Sequence, residues 1–436
     1  MDERDQIAWL YRRVGFGLAP GQLDALAALG VDRVLDDLVG GQGPDGGDPD
    51  PWQGLDLSAF DPQGGTQNRE LVARTVSRWL VAMATTARPL DEWMRWFWHG
   101  HFVSSIRVVK FPQLMVEQLR LLGRNALGDF PTLLSAITTD PAMLVYLDGV
   151  TNTKGAVNEN YGREVLELFT LGIGHYSEQD VRAGAEALSG WRVDRRAVLG
   201  TSDAAVARFE PRRHDDAPKT YLGVPGVHDV ATVVDAIVHH ASCAPFITAK
   251  LVRAILGPDV DASLVDRLAT DFAASGLELR PLVRAILVAG LESEASSPLV
   301  VAPVPWMVSM VRAGGASADT VLGPGIERSL VPAGQVPMDA PNVAGWPGGR
   351  SWLSSSSTVA RFNLATTIAA AVPADAPVRA AAIAGEHRQL ADRLGRPGGF
   401  SDATTAALTQ LRSGRKDPKG VAALTVAMAS PDLVIA

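Results

Sequence analysis

Apolar residues recur at helical spacing along most of the chain. "DQIAWLYRRVGFG" and "GQLDALAALGVDRVLDDLV" read as short amphipathic helices, the first ended by glycine and the second followed by a Gly/Pro/Asp loop over residues 40 to 68. Longer helical patterns run through "NRELVARTVSRWLVAMATT", "PLDEWMRWFWHGHFVSS", "FPQLMVEQLRLLGRNAL" and "DFPTLLSAITTDPAMLVYLDG". In "SEQDVRAGAEALSGW", Ser177 and Asp180 stand where a helix cap and its first-turn acid belong. Between Trp191 and Gly226 the spacing changes: "WRVDRRAVLG" and "AAVARFEP" have the length and alternation of a strand pair, and "RRHDDAPKTYLG" is a polar loop. Helices resume with "VATVVDAIVHHASCAPFITAKLVRAIL" and "LVDRLATDFAASGLELRPLVRAILVAG", and a long loop through "PNVAGWPGGRSWLSSSS" leads into an alanine-rich C-terminal third. No repeat of fixed period is present, which excludes a solenoid. The expected fold is mainly α: one large multi-helix domain over residues 1–436 with a small β-hairpin insertion around 191–210 and long functional loops. Sub-domains 1–190 and 227–436 would flank the hairpin and loop at 191–226.

With 436 residues, 47% of them hydrophobic, the chain can bury a large core. A net charge of -8 gives no general basic surface, so neither nucleic acid nor a membrane is an expected partner. Cys243 is the only cysteine, which excludes an intrachain disulfide and a cysteine-rich metal site and suits a small buried residue. The start, "MDERDQIAWLYRRVGFG", has no basic region followed by an apolar run, and no stretch reaches the roughly 18 to 20 apolar residues of a bilayer span. A cytoplasmic protein is expected.

Charge enters an apolar helix at "NENYGREVLELFTLGIG", residues 158 to 174. At roughly 100° per residue, Asn160, Arg163, Glu164 and Glu167 fall on one stripe of a helix that is otherwise apolar. Such a stripe lies in solvent, pairs internally or faces a cavity. One arginine neutralises one of two glutamates, and the carboxylate left over needs another partner if buried. Glu164 and Glu167 are therefore candidate catalytic groups, and Asn158, Asn160 and Arg163 candidate substrate ligands.

Three further clusters carry chemistry. "EWMRWFWHGHFVSS" is an aromatic wall bearing imidazoles, suited to a sugar face, with Trp98 as a substrate contact and His101 as a catalytic group. In "RFEPRRHDDAPKTYLG", His214 beside Asp215 suits proton transfer, and Lys219 suits an anion. In "PNVAGWPGGRSWLSSSS", the glycines after Val343 bring backbone close to a neighbour, Trp346 offers a ring, and Arg350 can hold a carboxylate or phosphate. No H-E-x-x-H, P-loop or G-x-S-x-G motif occurs.

"WFWHGHFVSS", "DPAMLVYLDG", "NENYGREVLELFTLGIGHYSEQDVRAGAEALSGW", "RRHDDAPKTYLG", "FITAKLVRAIL" and "PNVAGWPGGRSWL" resemble, in that order and over nearly the whole chain, the bacterial family labelled domain of unknown function 1800. The resemblance implies a mostly helical protein, in a family whose members are often exported and often encoded beside a sulfatase-like partner. It adds Asp148 to the candidate substrate ligands, because the polar positions singled out by their chemistry are those of the family's motifs. Gly162 and His175 depart from the family's usual residues. The favoured expectation is a hydrolase or lyase of carbohydrate-like substrates working by general acid/base catalysis. The first alternative is a divalent metal held by His101, Glu164, Glu167 and His214 for oxidase or hydrolase chemistry. The second is a non-catalytic scaffold or chaperone for a co-encoded enzyme.

Overall fold

The computed structural model describes residues 1–41, 48–61, 64–200, 206–292, 297–414 and 417–436. Parts of the loop expected at 40–68, and residues 204 and 205 of the expected second strand, lie outside these. Among the described residues the protein is 60% helical, with 24 α-helices and two small antiparallel strand pairs. It is mainly α. One hydrophobic cluster runs through it from Ile7 to Val434, with Trp79, Trp98, Trp306, Phe102, Phe130 and Phe169 fully buried.

Three patterns that read as continuous helices are broken by local chemistry. Gly30, at φ 85°, separates Gln22–Ala27 from Val31–Gly40, in a left-handed conformation that only glycine adopts readily. Asp140 separates Phe130–Thr138 from Pro141–Tyr146: its carboxylate accepts the Met143 N–H at 2.8 Å, and Pro141 opens the new helix. The pair Val230–Val238 and Cys243–Leu256 bends by 73°. The cap at Ser177 forms as expected, with Ser177 and Asp180 making a reciprocal capping box.

The expected hairpin pairs β1 (Trp191–Val193) with β2 (Ala207–Phe209). The polar loop after it contains a second pair, β3 (Lys219–Tyr221) with β4 (Val224–Val227). Its turn has positive φ at both Leu222 (53°) and Gly223 (79°), as a two-residue hairpin turn of this hand requires. Leucine rarely adopts this conformation. Here its N–H is held by Asp180 Oδ1 at 2.7 Å, a tertiary contact that local sequence does not reveal.

The helix of the charged stripe is also irregular. Asn160–Glu164 is α-helical, but Val165–Thr170 widens to a π-helix in which Leu171 N–H reaches back five residues to Leu166 O at 2.9 Å. The regular 100° stripe therefore does not extend across it. Nor is the polar face buried: Asn160 is exposed, and Arg163, Glu164 and Glu167 are half-buried.

Candidate functional site

A cavity of about 1330 Å³ opens between the helices Glu3–Val14, Pro89–His101, Cys243–Leu256 and Pro303–Gly314 and the loop 344–353. This exceeds the roughly 300–1,000 Å³ of a small-molecule pocket, so it has room for more than one sugar-sized ring. Helical periodicity sets two of its walls. Trp93, Trp96, Phe97, Gly100 and His101 share one face of Pro89–His101, while Phe246, Lys250 and Arg253 share one face of Cys243–Leu256. The loop supplies the third wall because Gly345, at φ 87°, packs against the tryptophan helix where a Cβ would stand 2.6 Å from Gly100 O. That approach lays Trp346 on Trp96, with centroids 5.5 Å apart and planes 15° from parallel. Five of the ten tryptophans in the chain line this space. Among the described residues its charged lining is lopsided, with Arg12, Arg13, Lys250, Arg253 and Arg350 against one acidic side chain, Asp259.

Lys250 is the most chemically distinctive group in the wall. Its Nζ donates to Leu168 O at 2.7 Å, lies 3.3 Å from His101 Nδ1, and sits 4.7 Å from the Phe246 ring centroid. The partner on the other side of His101 assigns its tautomer. Nε2 stands 2.9 Å from Phe169 O, a carbonyl that can only accept, so Nε2 carries the proton and Nδ1 accepts from Lys250. Leu168 and Phe169 lie at the end of the π-helix, where carbonyls lack helical partners, and the lysine and histidine satisfy them. Burial pushes Lys250 down to about 8. Burial, with the Lys250 charge adding to it, holds His101 well below its ordinary value, so the imidazole is neutral.

The sequence-predicted residues divide sharply. His101, Trp346 and Arg350 line the cavity; the other ten do not. Trp98 is a core residue instead of a substrate contact: it lies on the opposite face of its helix from Trp93 and Trp96, fully buried, with Nε1 on Ala126 O at 2.9 Å. Arg163 pairs with neither Glu164 nor Glu167. Its guanidinium makes a bidentate contact with Glu178 at 2.6 and 2.7 Å. Glu167 accepts the Tyr176 hydroxyl at 2.8 Å. Glu164 makes no hydrogen bond or ion pair among the described residues, and burial plus the Glu167 charge raise its pKa. Asn158, Asn160 and Asp148 tie the start of that helix together: Asn158 Oδ1 accepts Asn160 N–H at 3.0 Å, and Asn160 Nδ2 donates to Asp148 Oδ2 at 3.0 Å.

The loop cluster is likewise turned inward. His214 Nδ1 lies 2.9 Å from Ser189 O, Asp215 N–H donates to Ser189 Oγ at 2.8 Å, and Lys219 pairs with Asp215 at 3.2 Å. The metal set His101, Glu164, Glu167 and His214 is not assembled. Among the described residues no three His, Cys, Asp or Glu side chains are grouped to hold a metal. His101 is also unsuited to it, with one nitrogen bound to a carbonyl and the other facing a cationic amine.

Sequence reading missed Lys250 and Arg253. Their signal was the one that drew attention to Glu164: "FITAKLVRAIL" places two cations three apart in an apolar helix. The model of the family described as "Protein of unknown function (DUF1800)" matches residues 9–435. No curated protein and no solved structure matches the chain.

Proposed function

For a chain that belongs to the DUF1800 family, whose description carries no activity, we propose from the chemistry of the cavity a lyase that cleaves carboxylate-bearing, carbohydrate-like substrates by β-elimination. The observation that carries this reading is the placement of Lys250 in an aromatic, cation-rich wall with both its acceptors on the protein side. As the free amine, Lys250 directs its two hydrogens to Leu168 O and His101 Nδ1 and keeps its lone pair for the substrate. With its pKa at about 8, roughly a tenth of the molecules carry that free amine at neutral pH.

Lys250 takes the proton from the carbon next to the substrate carboxylate. The C–H electron pair becomes a C=C bond as the bond to the leaving oxygen breaks, and the new ammonium returns its proton to that oxygen. Arg253, one turn along the same face and without an ion pair among the described residues, neutralises the carboxylate and so makes the adjacent proton more acidic. Trp96 and Trp346 receive the sugar face. Hydrolysis of a glycosidic bond ordinarily uses two carboxyl groups across the bond, and among the described residues Asp259 is the single acidic side chain in this lining. That favours elimination.

The test is a panel of uronate-containing polysaccharides, with product followed by the ultraviolet absorbance of the unsaturated uronate. Wild type should generate it and Lys250→Met should not. A Lys250→Met variant with wild-type turnover on any substrate sinks the proposal.

A further inference from the structure

Arg12 and Arg13 take no part in the elimination, yet both line the same cavity. They are consecutive on the helix Glu3–Val14 and come from a different wall than Lys250. Arg13 is only 5% exposed. Its Nη1 donates to Ile255 O at 3.0 Å and its Nη2 to Ser297 O and Ala436 O, each at 2.9 Å, which fixes the guanidinium in place. Arg12 Nη1 donates to Gly395 O at 2.6 Å. The Nε atoms of both arginines are buried with no hydrogen-bond partner, and neither side chain pairs with an Asp or Glu among the described residues. A third guanidinium, Arg396, bonds Ile435 O nearby and also has an unpartnered buried Nε.

Fixed, desolvated cations without a counter-charge destabilise a fold unless something offsets them. Burial, then Arg396 and Arg13, push Arg12 down to about 9 despite the opposing pull of Asp5. Burial and Arg396 push Arg13 down to about 10. Gly395 O orients Arg12 without neutralising it, whereas Arg13 also meets an oxygen of the last residue, Ala436, so the charge least offset in this wall is that of Arg12.

We infer that the wall formed by Arg12 and Arg13 is an anion subsite that takes a second oxyanion group of the cavity ligand: a sulfate ester, a phosphate ester or a further carboxylate. It rests on the reading of the cavity as the ligand site and deepens it, because a substrate filling both subsites carries at least two negative groups.

Isothermal titration of the full chain with sodium sulfate, sodium phosphate and sodium acetate, each at ionic strength held constant with chloride, tests it. Saturable binding of at least one anion is expected, roughly 10- to 100-fold weaker in Arg12→Gln and unchanged in Lys250→Met. No saturable binding by wild type, or equal binding by Arg12→Gln, overturns it. Should Arg12→Gln fail to fold by circular dichroism, wild-type crystals soaked in selenate decide: anomalous density against Arg12 and Arg13 supports the subsite, and none there overturns it. The two readings fail separately. Arg12-dependent anion binding with full turnover in Lys250→Met removes the elimination and keeps the subsite. Lysine-dependent turnover without Arg12-dependent anion binding does the reverse.

Discussion

Lys250 Nζ lies 3.3 Å from His101 Nδ1, joining the helix Cys243–Leu256 to the tryptophan helix at the point where the π-helix ends. The contact fixes a neutral imidazole against a buried amine, and the amine is the titrating member at ordinary pH.

Stability reports this burial. The Lys250 pKa falls from 10.5 to about 8 on folding, so between those values the unfolded chain holds a proton that the folded chain has lost. The burial cost is fully present below about 8 and is relieved as pH rises towards 10.5. Urea unfolding at several pH values should show wild type gaining on Lys250→Met by on the order of 3 kcal/mol across that window. A difference that stays flat with pH would mean that Lys250 is not desolvated.

Turnover should be indifferent to the charged stripe. Glu164→Gln and Glu167→Gln, outside the cavity, are expected to retain kcat/KM within about twofold of wild type. A drop of tenfold or more in either would move the chemistry away from Lys250 and back to that helix.

The bidentate contact between Arg163 and Glu178 is surface chemistry, with the glutamate largely exposed. A double-mutant cycle with alanine at both positions should give a weak coupling that shrinks with added salt. A strong coupling, insensitive to salt, would contradict the solvent-screened geometry.

Gly345→Ala should disturb the site from a distance. Its φ of 87° and the 2.6 Å approach of the new Cβ to Gly100 O leave no room for a side chain. A stability loss of at least about 1–2 kcal/mol is expected from the left-handed conformation alone. Because the same approach seats Trp346 on Trp96, ligand affinity should fall with it, measurable by tryptophan fluorescence titration. Unchanged stability and affinity would show that the loop sits elsewhere.

The elements were legible because their causes are local. Apolar spacing marked the helix Pro89–His101, and Ser177 with Asp180 marked the start of Glu178–Ala187, because a helix is closed by bonds between residues three to five apart. The breaks at Gly30 and Asp140 were also written locally, as a glycine and an Asp-Pro step inside helical patterns. The turn at Leu222 was not, since its conformation is held by Asp180 from another element.

For the site, the sequence determined which helices carry ionisable groups within apolar faces, and it brought out His101, Trp346 and Arg350 on the strength of their residue types. Only the tertiary structure decided which of those faces meet. It turned Arg163 to Glu178 and solvent, placed Trp98 in the core, and brought Lys250 from 149 residues away to His101. A charge in an apolar helix must find a partner or water, and that requirement is visible in the residues themselves. Which partner it finds depends on contacts between segments far apart in the chain, whose approach is set by the packing of the whole core.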